Sequence, residues 1–243
     1  MSGAPGTIYG VGLGPGDPDL MSIRADRLIR AARHVAYFRK AGRPGRARTT
    51  VEGMLRRDVQ EIPMDYPVTT EIPVDDPAYG ACLAGFYAEV SAHLADLAQS
   101  GHDVVVLCEG DPFFYGSFMH LHARLRGRVP VVTVPAITGM SAAWTASGIP
   151  ITWGDDVLSV LTGTMDEDAL AGHMAGADAL VMMKVGRNLP KVRRALARAG
   201  RLDRAWLVEC ASLPEERVLP LAEAGETAPY FSIVLVHGQG RRP

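Results

Sequence analysis

The sequence predicts an α/β protein of two domains, the first with a mostly parallel sheet and the second with a mixed one. Three observations carry this. Asp103-Val-Val-Val-Leu-Cys108 is a short, continuous apolar run, the pattern of a parallel strand buried on both faces. Strand-like and helical stretches alternate around it, as a sheet with helices on both faces requires. Near the C-terminus, three strand-like runs follow one another without long helices, which suits antiparallel hairpins in a mixed sheet.

In chain order, Thr7 to Val11 reads as the opening strand. An amphipathic helix begins near Leu20, with Ser22 as a candidate cap. His34 to Phe38 reads as a second strand, and Arg39 to Arg48 as a basic, glycine-containing loop, of which residues 41 to 48 could be disordered when nothing is bound. Residues 61 to 77 hold prolines 63, 67, 73 and 77, which predicts an extended excursion rather than a helix. From Tyr79 to Gln99, Leu83, Phe86, Val90, Leu94 and Leu97 recur at helical spacing, for a core or dimer contact. After the buried strand come helix Phe118 to Arg126, strand Val131 to Val134 and helix Gly139 to Ser147.

A boundary is expected near Gly148 to Gly154, giving domains 1–148 and 149–243. Beyond it the pattern predicts strand Val157 to Leu161, helix Ala169 to Met174, strand Ala179 to Lys184 and helix Leu189 to Ala199. Strands Ala205 to Val208, Val218 to Leu221 and Phe231 to Val236 complete the chain.

Composition narrows the function classes. A chain of 243 residues is long enough to bury a sizeable core. Its 47% hydrophobic and 21% charged residues are the mix of an ordinary soluble enzyme. A net charge of -2 provides no basic field for nucleic acid. The start lacks a basic segment followed by an apolar run, so no secretory leader is expected. No stretch approaches the ~18 apolar residues of a membrane span. Cys82, Cys108 and Cys210 are scattered, which fits reduced thiols in the cytoplasm.

Three turns stand out as candidate sites. Gly10-Val-Gly12-Leu-Gly14-Pro15-Gly16-Asp17 lies between the first strand and helix, where a glycine-dense backbone can approach a ligand closely. It fits neither familiar phosphate loop. The dinucleotide fingerprint needs glycine where Pro15 or Asp17 stands, no Gly-Lys-Ser/Thr closes the turn, and Pro15 removes a donor. Glu109-Gly110-Asp111-Pro112-Phe113-Phe114-Tyr115 follows the buried strand, at the strand end where open α/β sheets bind ligands. Asp111 can accept from ribose hydroxyls there, although Gly-Asp-Pro is also a common turn sequence. Pro135-Ala136-Ile137-Thr138 follows a strand and opens a helix, where Thr138 is equally explained as a cap.

Together these turns resemble the tetrapyrrole (class III) S-adenosylmethionine methyltransferases, whose members share a G-x-G-P-G-D loop, a G-D-P loop and a P-G-I-[TS] turn. The similarity runs along nearly the whole chain and includes Ile149-Pro150-Ile151-Thr152. Ala136 departs from the usual glycine, at little expected cost. Within the family, Leu107 to Leu121 is most similar to members that methylate C20 of precorrin-2 in cobalamin biosynthesis. Phe38 stands where the uroporphyrinogen methyltransferases carry aspartate, which disfavours that earlier substrate.

The resemblance implies S-adenosyl-L-methionine as methyl donor, folded between the two domains, with S-adenosyl-L-homocysteine as product. It implies donor contacts from Gly14 and Pro15, from Glu109, Gly110, Asp111 and Phe114, and from Thr138 and Gly139. In the second domain it implies Val185 and Gly186 beside the adenine, and Ala211; ordinary strand ends explain these positions as well. A polycarboxylate tetrapyrrole calls for cations, for which Arg39, Lys40, Arg43, Arg46 and Arg48 form the densest cluster, unless they are simply solvated loop charge. The family is commonly dimeric, so a cytoplasmic homodimer is expected, with neither a nucleic-acid nor a membrane partner and no protein-bound metal. No residue identifies itself as a catalytic base.

Other patterns are weaker. His120 and His122 do not share a helix face, which argues against a metal pair. Gly139-Met-Ser-Ala-Ala143 lacks the final glycine of a nucleophile elbow. The alternatives left open are C20 methylation of a cobalt-loaded factor II, a diphthamide-type methyltransferase, and a non-catalytic module that binds the donor or a tetrapyrrole.

Overall fold

The computed structural model describes residues 4–68 and 76–241. The chain divides into two units, residues 1–138 and 139–243. This division falls earlier than the boundary expected near Gly148. The reason is that the helix from Gly139 packs Ala143 into an apolar cluster with Val181, Val208, Ile233 and Leu235 of the second sheet.

In the first unit the strands are β1 (Ile8–Gly12), β2 (His34–Lys40), β3 (Gln60–Tyr66), β4 (Val104–Cys108) and β5 (Val131–Val134). They form one parallel sheet in the order β3-β2-β4-β1-β5. Alternation along β4 shows how it is covered. Val104, Val106 and Cys108 pack with α3 (Pro77–Gln99) and α4 (Phe118–Leu125). Val105 and Leu107 face the other way, toward α1 (Ile23–Ala31) and α2 (Arg46–Thr50). Both faces of the sheet are therefore dry, which is why β4 reads as an unbroken apolar run.

Several expectations are met and three are corrected. The Ser22 hydroxyl accepts from the Ala25 N–H at 3.1 Å and caps α1. Leu94 is fully buried, and Leu83, Phe86, Val90 and Leu97 pack beside it, so that face of α3 belongs to the core. The proline-rich excursion contains an unforeseen strand, β3. Pro63 is tolerated there because β3 is an edge strand, where a missing N–H breaks no interior ladder. Pro73 lies outside the described residues. The basic loop is shorter than its charges suggest, because β2 continues to Lys40 and α2 starts at Arg46. Residues 46–50 are accordingly an ordered helix, not a disordered segment.

In the second unit the strands are β6 (Leu158–Thr162), β7 (Ala179–Met183), β8 (Ala205–Glu209), β9 (Arg217–Pro220) and β10 (Ser232–Val236). Their order is β6-β7-β10-β8-β9, with β6 and β7 parallel and the other neighbours antiparallel. This is the mixed sheet expected from the late strands. Helices α6 (Glu167–Ala175) and α7 (Leu189–Arg198) cover one face through Leu170, Met174, Leu189, Val192 and Leu196, while α5 (Gly139–Ala146) covers the other. Among the described residues, no helix is long and apolar enough to cross a membrane.

Candidate functional site

The three turns singled out in the sequence follow β1, β4 and β5. In the sheet these strands are neighbours in the order β4-β1-β5, all parallel, so segments about a hundred residues apart in sequence end on one edge. That edge is the carboxyl end, where open α/β sheets place ligands.

Glycine sets how closely the turns approach. The Leu13 N–H donates to the Cys108 carbonyl, and the Gly110 N–H donates to the Gly14 carbonyl, each at 2.9 Å. The first and second turns thus continue the ladder beyond the strands. A Cβ on Gly12 would stand 2.5 Å from the Ala136 Cβ, 2.8 Å from the Gly110 oxygen and 2.9 Å from the Pro112 Cδ. Gly12 is therefore the point where all three turns meet, and it leaves no room for a side chain. Gly14 and Gly110 have φ of 80° and 64°, in the left-handed region that glycine enters without steric cost. Nothing lies within 4 Å of where a Gly110 Cβ would be, so that side of Gly110 is open.

Asp111 holds this arrangement together. One carboxylate oxygen accepts from the Phe113 N–H and the other from the Ala136 N–H, both at 2.9 Å. Its carboxylate organises the second turn and ties it to the third, so the turn-forming reading is realised, and a ribose hydroxyl would have to use the remaining lone pairs. A further tie comes from β3, where the Tyr66 hydroxyl hydrogen-bonds Ser117. Sequence reading missed this link because β3 itself was masked by its prolines.

Glu109 is exposed at the end of β4. Surrounding protein strips enough water from its carboxyl to raise the pKa above the ordinary carboxylate value. The Arg46 charge and the Ala47 N–H pull it back down. Next to it, the buried Cys108 thiol is raised strongly by loss of solvent and is no nucleophile at neutral pH. Phe114 is half-buried against Tyr115, their ring centroids 4.8 Å apart. Phe113, Tyr115 and Ile137 are exposed on the second and third turns. Tyr115 carries φ of 55°, an outlier for a bulky residue. Thr138 closes the first unit, and Gly139 begins α5 in the second.

The basic stretch splits into two groups. Arg39 is paired with Asp65 at 2.6 Å, and Arg48 makes a two-pronged contact with Glu61 at 2.7 and 3.0 Å as well as reaching Glu52. These arginines fasten β2 and α2 to β3, and so are largely neutralised where they stand. Lys40, Arg43 and Arg46 remain exposed. His120 stacks on Tyr87 at 4.6 Å and His122 meets Phe113 edge-on at 4.8 Å, so both histidines serve aromatic packing.

In the second unit, β10 is antiparallel to both β7 and β8, so β7 and β8 end on one edge. The Val185 side chain is wholly buried in the core there, which leaves its main chain as what it can offer a ligand. Gly186 opens a short 3-10 turn that leads into α7. Ala211 lies between Cys210 and Ser212, whose φ values are 50° and 66°; Lys184, just before Val185, has φ of 54°. Non-glycine residues in this region cost strain that is commonly kept at functional sites. Sequence gives no sign of these conformations, because none of the three is asparagine or glycine.

Comparison with known proteins accords with this geometry. Residues 7–225 match the family model of the tetrapyrrole (corrin/porphyrin) methylases. A precorrin-2 C(20)-methyltransferase of Sinorhizobium sp. is 53% identical over the full length of both chains. A cobalt-precorrin-2 C(20)-methyltransferase of Salmonella typhimurium is 28% identical, over 96% of this chain and 97% of its own. The crystal structure of a Thermus thermophilus uroporphyrin-III C-methyl transferase complexed with S-adenosyl homocysteine superposes with a TM-score of 0.68 at 26% identity, covering 95% of this chain and 92% of that one. The chain belongs to the tetrapyrrole (corrin/porphyrin) methylase family.

Proposed function

We propose that this chain transfers a methyl group from S-adenosyl-L-methionine to C20 of precorrin-2, in cobalamin biosynthesis. The observation that carries the donor half is the convergence of the glycine-built turns after β4, β1 and β5, with open space beside Gly110. Gly14, Pro15, Glu109, Gly110, Asp111 and Phe114 would hold the donor there, with Thr138 and Gly139. Val185, Gly186 and Ala211 of the second unit would contact its adenine. The residues fit such a group, because Gly110 presents open backbone where any other residue would present a side chain.

When bound, the donor supplies a methyl carbon already activated by its sulfonium. What remains for the chain is to align that carbon with the acceptor carbon and to exclude water. The exposed Phe113, Tyr115 and Ile137 offer apolar surface to a flat macrocycle beside the donor turn. Arg43 and Arg46 would meet its carboxylates through their guanidinium groups, which bind carboxylate bidentately, with Lys40 adding a point charge.

The metal-free acceptor is favoured over cobalt-factor II by the higher identity to the Sinorhizobium relative, 53% against 28%. Incubating the protein with donor and each acceptor side by side, then locating the new methyl by mass spectrometry and NMR, tests this. One methyl at C20 of precorrin-2 is expected. Methylation only of the cobalt substrate, or at another carbon, would overturn the acceptor assignment. Failure to bind S-adenosylhomocysteine in titration calorimetry would overturn the donor half. A cytoplasmic homodimer is part of the same reading, by resemblance to the family; a monomer in sedimentation at working concentration would contradict it.

A further inference from the structure

We propose that Tyr230 is a donor-binding residue whose ring stacks on the adenine. This deepens the reading above and rests on it, because the adenine contacts at Val185, Gly186 and Ala211 are part of that proposal.

The argument starts from strand register. Val234 of β10 pairs with Met182 of β7 on one side and with Leu207 of β8 on the other. The start of β10 therefore lies on the edge where β7 and β8 end, with Lys184 to Gly186 on one flank and Cys210 to Ser212 on the other. The Cys210 N–H donates to the Phe231 carbonyl at 2.7 Å, one step beyond the Ser232–Glu209 pair. Continuing that register brings Tyr230 level with Ala211. On the opposite flank, the Ala228 carbonyl is the nearest atom to a Cβ built on Gly186, at 4.0 Å. The segment carrying Tyr230 thus runs between the positions assigned to the adenine.

The segment is also fixed in place and largely exposed. Arg193 of α7 hydrogen-bonds the carbonyls of Ala224 and Gly225. At the other end, the Cys210–Phe231 bond anchors the entry to β10. Between these anchors Tyr230 is 82% exposed, the highest value of any large apolar side chain among the described residues. Its ring stands edge-on to Phe231 with centroids 4.9 Å apart, which limits its freedom. A pinned aromatic ring exposed beside main-chain groups is suited to a heteroaromatic base. The ring supplies the π-face, and flanking backbone reads the base edge. Backbone strain at Lys184, Cys210 and Ser212 marks this same edge independently.

The test is titration calorimetry on the full chain, using S-adenosylhomocysteine and, separately, adenosine, with wild type, Tyr230→Ala and Tyr230→Phe. Loss of a base–aromatic stack predicts that Tyr230→Ala weakens both ligands by roughly tenfold or more. Tyr230→Phe keeps the ring and should remain close to wild type. The exposed position leaves the core intact, and unchanged thermal unfolding of the free variants checks this. Wild-type binding with undiminished affinity in Tyr230→Ala would overturn the proposal and leave the methyl-donor reading standing. Undiminished affinity together with a change in sedimentation would overturn it too, assigning the ring to a contact between copies. No binding by wild type would bring down the donor reading, and this proposal with it.

Discussion

At the residue scale, Asp111 is a side chain for which the sequence allows two roles and the structure displays one. Its position after Gly110 suggests a ligand contact, whereas both its oxygens accept main-chain N–H groups, from Phe113 within its own turn and from Ala136 across to the next. Hydrogen bonds to a charged acceptor contribute about 1.5–3 kcal/mol each. Asparagine has the same shape but sets an NH₂ against one of the two donors. Asp111→Asn should therefore break one tie and Asp111→Ala both. The expected order of S-adenosylhomocysteine affinity is wild type, then Asn, then Ala, with the stability of the free protein falling in the same order. Calorimetry and thermal unfolding read both. If Asn binds like wild type while Ala does not, the acceptor geometry matters and the charge does not. Equal affinity in all three would remove Asp111 from the site and from the coupling of the turns.

At the element scale, legibility in the sequence follows burial. Strand β4 is covered on both faces and reads unmistakably as a run of apolar residues, and α3 shows its buried stripe at helical spacing. Strand β3 is the opposite case. It lies at the edge, half its residues face water, and Pro63 is allowed only because no strand pairs beyond it. No local pattern separates such a strand from an extended loop; the parallel register with β2, from His34–Gln60 to Lys40–Tyr66, is a tertiary fact. Arg39 and Arg48 show the same limit. Their partners Asp65 and Glu61 sit on that unseen strand, so cations that look free in sequence are neutralised by it. The turns were legible as candidates because glycine and proline punctuate them. Their convergence at Gly12 was not, because it depends on the strand order β4-β1-β5.

At the scale of the whole molecule, the two units bury separate cores and carry different titrating groups, which predicts an order of acid sensitivity. In the second unit, burial holds the His237 pKa below the ordinary 6.5, opposed in part by a bond to the Pro150 carbonyl at 3.2 Å. Its Nε2 is buried without a partner, so a second ring proton would have no acceptor. The unfolded chain then takes up the proton first, and His237 costs the fold stability as pH falls below about 6.5. In the first unit, Arg48 holds Glu61 below its ordinary carboxylate value, so that stabilisation is complete at pH 6 and is lost only under more acidic conditions. Glu109, raised by its surroundings, acts in the opposite sense but weakly, because solvent at its exposed side chain screens the effect. The second unit should therefore loosen first between pH 7 and 5. Hydrogen exchange should show β7 and β10 amides losing protection over that range while β1 and β4 amides hold theirs. His237→Asn keeps an amide donor near the Nδ1 position for Pro150 and cannot protonate, so it should flatten the response of the second unit alone. An unchanged pH response in the variant would show that another group controls the acid limb, and earlier loss of protection in β1 and β4 would reverse the order of the units.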